Sequence, residues 1–310
     1  VESIRKQFPM LTGSIKMQNK PLVFLDNCST TFKPQCVIDA EMEYYEKMTS
    51  NSHRGDYDLS VETDNKIDVA REAISRFVNC DKNEVVFTSG TTASLNLVAF
   101  GYGLKFLNKD DEIIISEAEH ASNILPWFEV AKLTGAVIKY IPLTEAYELT
   151  LNNLKKMVTS HTKVVSLAHV SNVLGDVRDV EEIGHFCKKN HILFHVDGAQ
   201  SVPHMKVDFK KYDIDFLSFS GHKMCGPTGV GILIGRKELL EDMDPLCYGG
   251  GMNSSFEDDS TYELKSVPVK FEAGTPPIAE VIGLGEAIRY LMEIGMDNIH
   301  NYEMELKEYL

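Results

Sequence analysis

Apolar residues follow two spacings along this chain: a helical period of three to four, and short continuous runs rich in Val and Ile. A helical pattern over 64–78 leads into an apolar run at 84–88, and another helix begins near Thr91. The run 112–116, a helix around 124–134 and the run 136–141 come next. A helix near 151–158 precedes the run 163–169, and a helix over 179–190 precedes the run 192–196. Two further runs, 214–219 and 230–234, flank a glycine-rich turn. Helix and strand alternating in this way predict an α/β fold, a mainly parallel sheet with helices on both faces.

In such sheets a ligand sits beyond the carboxyl ends of the strands. The residues at those ends are Ser89-Gly90-Thr91-Thr92, Glu117 to His120, Val170-Ser171-Asn172, Asp197-Gly198-Ala199-Gln200 and Ser220 to Lys223. They are mostly polar. Glycine followed by hydroxyls at a helix start is either plain N-capping or an anion site made of free N–H groups. It matches neither GxGxxG nor GxxxxGK[ST], so nucleotide binding gains little support. Asp197 ends an apolar strand, where a carboxylate can cap a helix, bind a metal or pair with a buried cation. No companion ligands at suitable spacing accompany it, which favours the cation.

Lys223 follows an apolar strand and precedes a Gly-Pro turn, where desolvation lowers the pKa of an amine. A lysine so tuned is suited to Schiff-base formation with an aldehyde. His120 is a surface histidine near a helix start or a flat imidazole over a flat ring, with a share in proton transfer. An anion cradle, an aldehyde-seeking lysine, an acid for a pyridinium nitrogen and a histidine lid together point to pyridoxal 5'-phosphate.

Composition narrows the classes. Lys and Arg number 31 against 46 Asp and Glu, a net charge of −15 that argues against nucleic-acid binding. No apolar run approaches the roughly 20 residues that span a bilayer, so no membrane partner is expected. Six scattered cysteines without a CxxC pair predict reduced thiols and a cytoplasmic setting, with neither a disulfide framework nor a zinc site.

Several stretches add a resemblance: LDNCSTT (25–31), NSHRGDYDLS (51–60), TSGTTASLNLVA (88–99), SEAEHASNILPW (116–127), HVSNVLG (169–175), HVDGAQSVPH (195–204), SFSGHKMCGPTGVGIL (218–233) and KFEAGTPPIAEVIGLG (270–285). Their order over nearly the whole chain resembles the class V aminotransferase family of fold type I, and within it the SufS-type cysteine desulfurases. The resemblance implies a mainly parallel seven-stranded sheet flanked by helices. It also implies an N-terminal segment over 1–19 packing on the small domain, a large cofactor-binding domain over 20–295 and the start of a truncated small C-terminal domain at 296–310. Lys223 would hold the cofactor covalently, His120 would stack on its ring, Asp197 would pair with its nitrogen and Gln200 would bond its phenolic oxygen. Thr91, Thr92, Ser220 and His222 would hold the phosphate, and Asn172 would lie beside the cofactor oxygen and the incoming amino acid. Thr275 would reach the phosphate of a partner subunit, which implies a homodimer, and His53 and Arg54 would lie near the substrate mouth.

The activity so implied is conversion of L-cysteine to L-alanine, with sulfur passed as a persulfide to an acceptor for iron–sulfur cluster assembly. Selenocysteine lyase, cysteine sulfinate desulfinase, other class V lyases or aminotransferases, and a non-catalytic cofactor-binding fragment are the alternatives. The family's nucleophilic cysteine and carboxylate-binding arginine belong to a C-terminal segment that the chain does not reach. A first residue Val1 and an end inside a helical pattern accordingly predict a trimmed chain of impaired activity. Cys225 and Cys28 are read as packing residues, and Asp176 stands where the family commonly has threonine.

Overall fold

The computed structural model describes residues 1–310 except Ser14, His53, Arg54, Asp258, Asp259 and Leu310, and the side chain of Phe256 is likewise left undescribed. Seven strands form the main sheet: β1 (Val85–Thr88), β2 (Glu112–Ser116), β3 (Val137–Ile141), β4 (Thr162–Ala168), β5 (Leu193–Asp197), β6 (Phe216–Ser220) and β7 (Gly231–Gly235). Their order is β1-β7-β6-β5-β4-β2-β3, and β7 alone runs against its two neighbours. The reason is local. Only the loop 221–230 separates β6 from β7, too short for the dozen or more residues of a parallel crossover.

The inner strands are buried on both faces because helices cover both, while the edge strand β3 is partly exposed. In β2, Ile114 points into one core cluster while Ile113 and Ile115 point into the other. The first cluster packs under α2 (Asp58–Val78), α6 (Val180–Lys189) and α7 (Ile278–Ile294), and the second holds Trp127 of α4 (Leu125–Thr134). Helix α7 comes very close to α2. A Cβ built on Gly285 would lie 2.6 Å from Cβ of Ala70, so only a glycine fits there.

Helix α2 begins six residues before the sequence pattern predicts, because Asp58 to Thr63 add one more turn and a half of the same face, with Ser60 and Thr63 buried. The remaining boundaries fall within two residues of the sequence reading, and 112–116 coincides. Because β1 is parallel to β6 through the reversed β7, the carboxyl ends of β1, β2, β4, β5 and β6 all open on one edge of the sheet. No helix among the described residues is long and apolar enough to cross a membrane.

Candidate functional site

That edge carries a cleft of ≈ 650 Å³. Thr91, Thr92, His120, Asn172, Asp197, Gln200, Ser220, His222 and Lys223 all line it, so nine of the residues named from sequence converge. Thr275 does not. It is exposed on a loop outside the cleft, and its neighbour Gly274 donates its N–H to the Gly250 carbonyl at 2.7 Å. His53 and Arg54 lie outside the described residues.

The floor is built from two hydroxyls and a helix start. Helix α3 (Thr91–Val98) opens with no side-chain cap of its own. Ser220 Oγ instead accepts from the Thr91 N–H at 2.7 Å and pairs with Thr91 Oγ1 at 2.5 Å. Free N–H groups and the positive end of the helix dipole therefore meet hydroxyl donors at one point, where an anion is favoured. Thr92 Oγ1 reaches Ser122 Oγ at 2.8 Å, which ties the floor to the His120 loop.

Glycine at the start of β7 makes this junction possible. A Cβ on Gly231 would sit 2.4 Å from Gly90 Cα and 2.6 Å from its carbonyl carbon, inside backbone that cannot yield. Gly231→Ala is expected to lower stability by about 1–3 kcal/mol, the usual effect of overpacking. The same variant should weaken phosphate or sulfate binding at the α3 start. Thermal melts with and without phosphate measure both effects, and an unchanged melting temperature would remove the argument.

Lys223 ends a tight turn, Gly221–Lys223, and is half-buried; burial lowers its pKa, against the opposing pull of Asp197 and then Cys28. Asp197 is 5% exposed, and burial pushes its carboxyl up to about 6. The Ala199 N–H, bonded to its Oδ1 at 3.0 Å, opposes that shift, Glu119 reinforces it, and Lys223 and Arg178 weaken it. That N–H is the one hydrogen bond the carboxylate takes among the described residues. Burial also lowers the pKa of His222, and the positive charges of Lys223 and Lys33 add to it. His120 Nδ1 accepts from the Ser122 N–H at 3.1 Å, which assigns the proton of the neutral ring to Nε2.

A strap formed by residues 26–33 crosses the lysine turn. The His222 carbonyl accepts from Thr31 N at 2.9 Å and from the Thr30 and Thr31 hydroxyls at 3.1 Å each. Gln200 Nε2 donates to the Cys28 carbonyl at 2.8 Å. These contacts bring Cys28 and Ser29 into the lining, where sequence reasoning had not placed them. Cys28 is exposed and lines the cleft, so its assignment to packing does not hold. Cys225 does pack, with its N–H on Thr31 Oγ1 at 2.8 Å and its thiol pushed up to about 11 by burial.

A half-buried lysine, a buried acid and a helix start lined with hydroxyls, all at the carboxyl edge of a mostly parallel sheet, suit a cofactor-binding protein of the α/β class. Residues 23–310 match the family described as aminotransferase class-V, and the chain belongs to that family. It is 45% identical over 308 residues to a probable cysteine desulfurase of Halalkalibacterium halodurans, covering 99% of this chain and 75% of that protein. A probable cysteine desulfurase of Staphylococcus aureus is 45% identical over 311 residues, covering 100% of this chain and 74% of that one. Among solved structures, a cysteine desulfurase from Thermococcus onnurineus NA1 superposes with a TM-score of 0.93 at 38% identity, over 99% of this chain and 74% of that one. The cysteine desulfurase CsdA from Escherichia coli gives 0.87 at 36%, over 96% of this chain and 73% of its own.

Proposed function

We infer that this protein is a pyridoxal 5'-phosphate-dependent cysteine desulfurase that converts L-cysteine to L-alanine and passes the sulfur on for iron–sulfur cluster assembly. The observation that carries the reading is the convergence of Lys223, Asp197, His120 and the Ser220–Thr91 floor in one cleft. The residues fit the cofactor chemically. Asp197 is a buried acid short of donors, the place for a ring-nitrogen cation, and the α3 start with its hydroxyls suits a phosphate.

Thr91, Thr92, Ser220 and His222 would hold the phosphate, Asp197 the ring nitrogen and Gln200 the phenolic oxygen. His120 would cover the ring, and Asn172 would orient the amino acid at the exposed side. Bound there, the cofactor supplies an electron sink for charge that develops at the substrate α-carbon. Lys223 would hold the aldehyde, and its amine, when free, would take the substrate α-proton. Burial, which lowers its pKa, favours the neutral amine that this task needs. Asp197 would hold the facing cation, which would keep the sink effective.

We further propose a cytoplasmic homodimer, the compartment being one in which six free thiols stay reduced. The exposed position of Thr275, outside its own cleft, supports its reaching the partner's phosphate. The division of the chain into 20–295 and a second unit from 296 is supported by α8 (Met296–Tyr309). None of its described residues is buried, and His204 Nδ1 to Glu303 Oε1 at 2.7 Å ties it back.

Purified protein mixed with pyridoxal 5'-phosphate should turn yellow with one equivalent bound. Its visible band should respond to L-cysteine at lower concentration than to L-alanine or L-aspartate. A protein that stays colourless would sink the cofactor reading. A band that ignores L-cysteine but answers L-aspartate and 2-oxo acids would replace the desulfurase with an aminotransferase.

A further inference from the structure

Behind the cleft lies a charge pair that takes no part in its lining. Glu119 and Arg178 are both 0% exposed in their side chains and form an ion pair through Oε1 and Nη1. Glu119 also accepts from Ser116 Oγ, from Asn123 Nδ2 at 2.9 Å and from the Ala168 N–H at 2.6 Å. Arg178 donates further to the Ala168 carbonyl at 2.9 Å, to the Ala118 carbonyl at 3.4 Å and to Asp176 Oδ2 at 3.4 Å. Three segments are thereby joined: the loop 117–123 after β2, the last residue of β4, and the loop 169–178.

Stability alone does not call for such a pair. A buried ion pair loses several kcal/mol of hydration per ion, and an apolar pair of similar volume is often as good. What the pair does hold is placement. His120 follows Glu119 directly, and Asn172 sits in the loop closed by the Val170–Val177 bridge, with the Arg178 N–H on the His169 carbonyl at 3.0 Å. His120 and Asn172 are both exposed, so packing does not fix them; each takes its position from its backbone.

We propose that the Glu119–Arg178 pair is a positioning unit that sets His120 and Asn172 relative to one another across the cleft mouth. This rests on the cofactor reading above for its effect on chemistry. The link between the two loops stands without it. The pair also lies near enough to act on Asp197 with opposite signs, Glu119 raising and Arg178 lowering its proton affinity.

The test compares the wild type, Arg178→Lys and the double variant Glu119→Gln/Arg178→Met, all as full chains. The double variant removes both charges of the pair; Asp176, which loses its Arg178 contact, keeps a side chain 13% exposed to water, so the melting temperature should fall by no more than several degrees. Its pyridoxal 5'-phosphate dissociation constant should rise ~10-fold, and the visible circular dichroism per unit absorbance should fall by about half. With L-cysteine, kcat should drop up to ~100-fold, the scale of a misplacement near 1 Å, with a smaller change in KM. Arg178→Lys keeps the charge but loses the fork that reaches Ala168 and Ala118, and intermediate values are expected.

Hydrogen exchange should quicken together in peptides covering 116–123 and 169–178. Wild-type values for affinity, dichroism and exchange in a normally melting double variant would overturn the proposal. If the double variant does not fold, wild-type values in Arg178→Lys would overturn it equally. A wild type that takes no cofactor would defeat the cofactor reading instead, and loop exchange in the variants would still decide the link.

Discussion

Lys223→Ala should leave a folded protein that binds pyridoxal 5'-phosphate only reversibly and carries no pyridoxyl group after borohydride reduction. The wild type should acquire one such group, found by mass on the peptide containing 223. The substitution removes a half-buried side chain from a surface turn whose backbone is held by the 26–33 strap, so the melting temperature should barely move. Activity with L-cysteine, read as alanine formed by the loaded wild type, should fall by at least about 10³-fold when the amine proposed as both nucleophile and base is gone.

The competing amine is Lys33. It is also half-buried, and burial lowers its pKa too. Its Nζ, however, donates to the Thr31 carbonyl at 2.5 Å and lies 3.5 Å from the His222 carbonyl, and it does not line the cleft. Labelling at Lys33 in either protein would overturn the assignment of Lys223.

The sequence reveals the strand ends because a parallel sheet converts chain order into spatial order with simple rules. Once 84–88, 112–116, 163–169, 192–196 and 214–219 are read as strands, the polar residues after each must share one edge. Nine cleft residues were accessible by that route. The Glu119–Arg178 pair was not: the two residues are 59 positions apart in the chain and meet only because β4 lies next to β2. Nothing local marks Arg178 as buried, since its surroundings, Asp176-Val177-Arg178-Asp179, read as an exposed turn. The strap escaped for the same reason, with Thr31 and His222 separated by 191 positions. Local pattern reports which residues end a strand, and it is silent on which distant residues hold those ends in place.

Asp197→Asn gives the second large effect, and it separates electrostatics from shape. Burial holds the Asp197 carboxyl at about 6, above its ordinary 3.8, so the folded cofactor-free protein keeps a proton that the unfolded chain releases. The stabilisation is complete below about pH 4 and is lost as pH rises through about 6, on the order of 3 kcal/mol in all. Asparagine has no proton to lose. The stability difference between wild type and Asp197→Asn, from urea unfolding at pH 4, 5, 6 and 7, should therefore decline across that window. Asp215 and Glu41, raised to about 6 and about 7 mainly by burial, slope the same way in both proteins and cancel in the difference.

Loading pyridoxal 5'-phosphate should flatten the wild-type curve, because a cation facing Asp197 restores its preference for the ionised form. The variant gains no such relief. Its cofactor affinity at pH 7 should fall, and its kcat should drop about 10²–10³-fold, the usual loss when one preorganised charge-stabilising group is removed. Parallel pH–stability curves for the two cofactor-free proteins would show that Asp197 is already ionised in the fold. The acid would then owe its state to Arg178 and Lys223 rather than to the cofactor it is placed to receive.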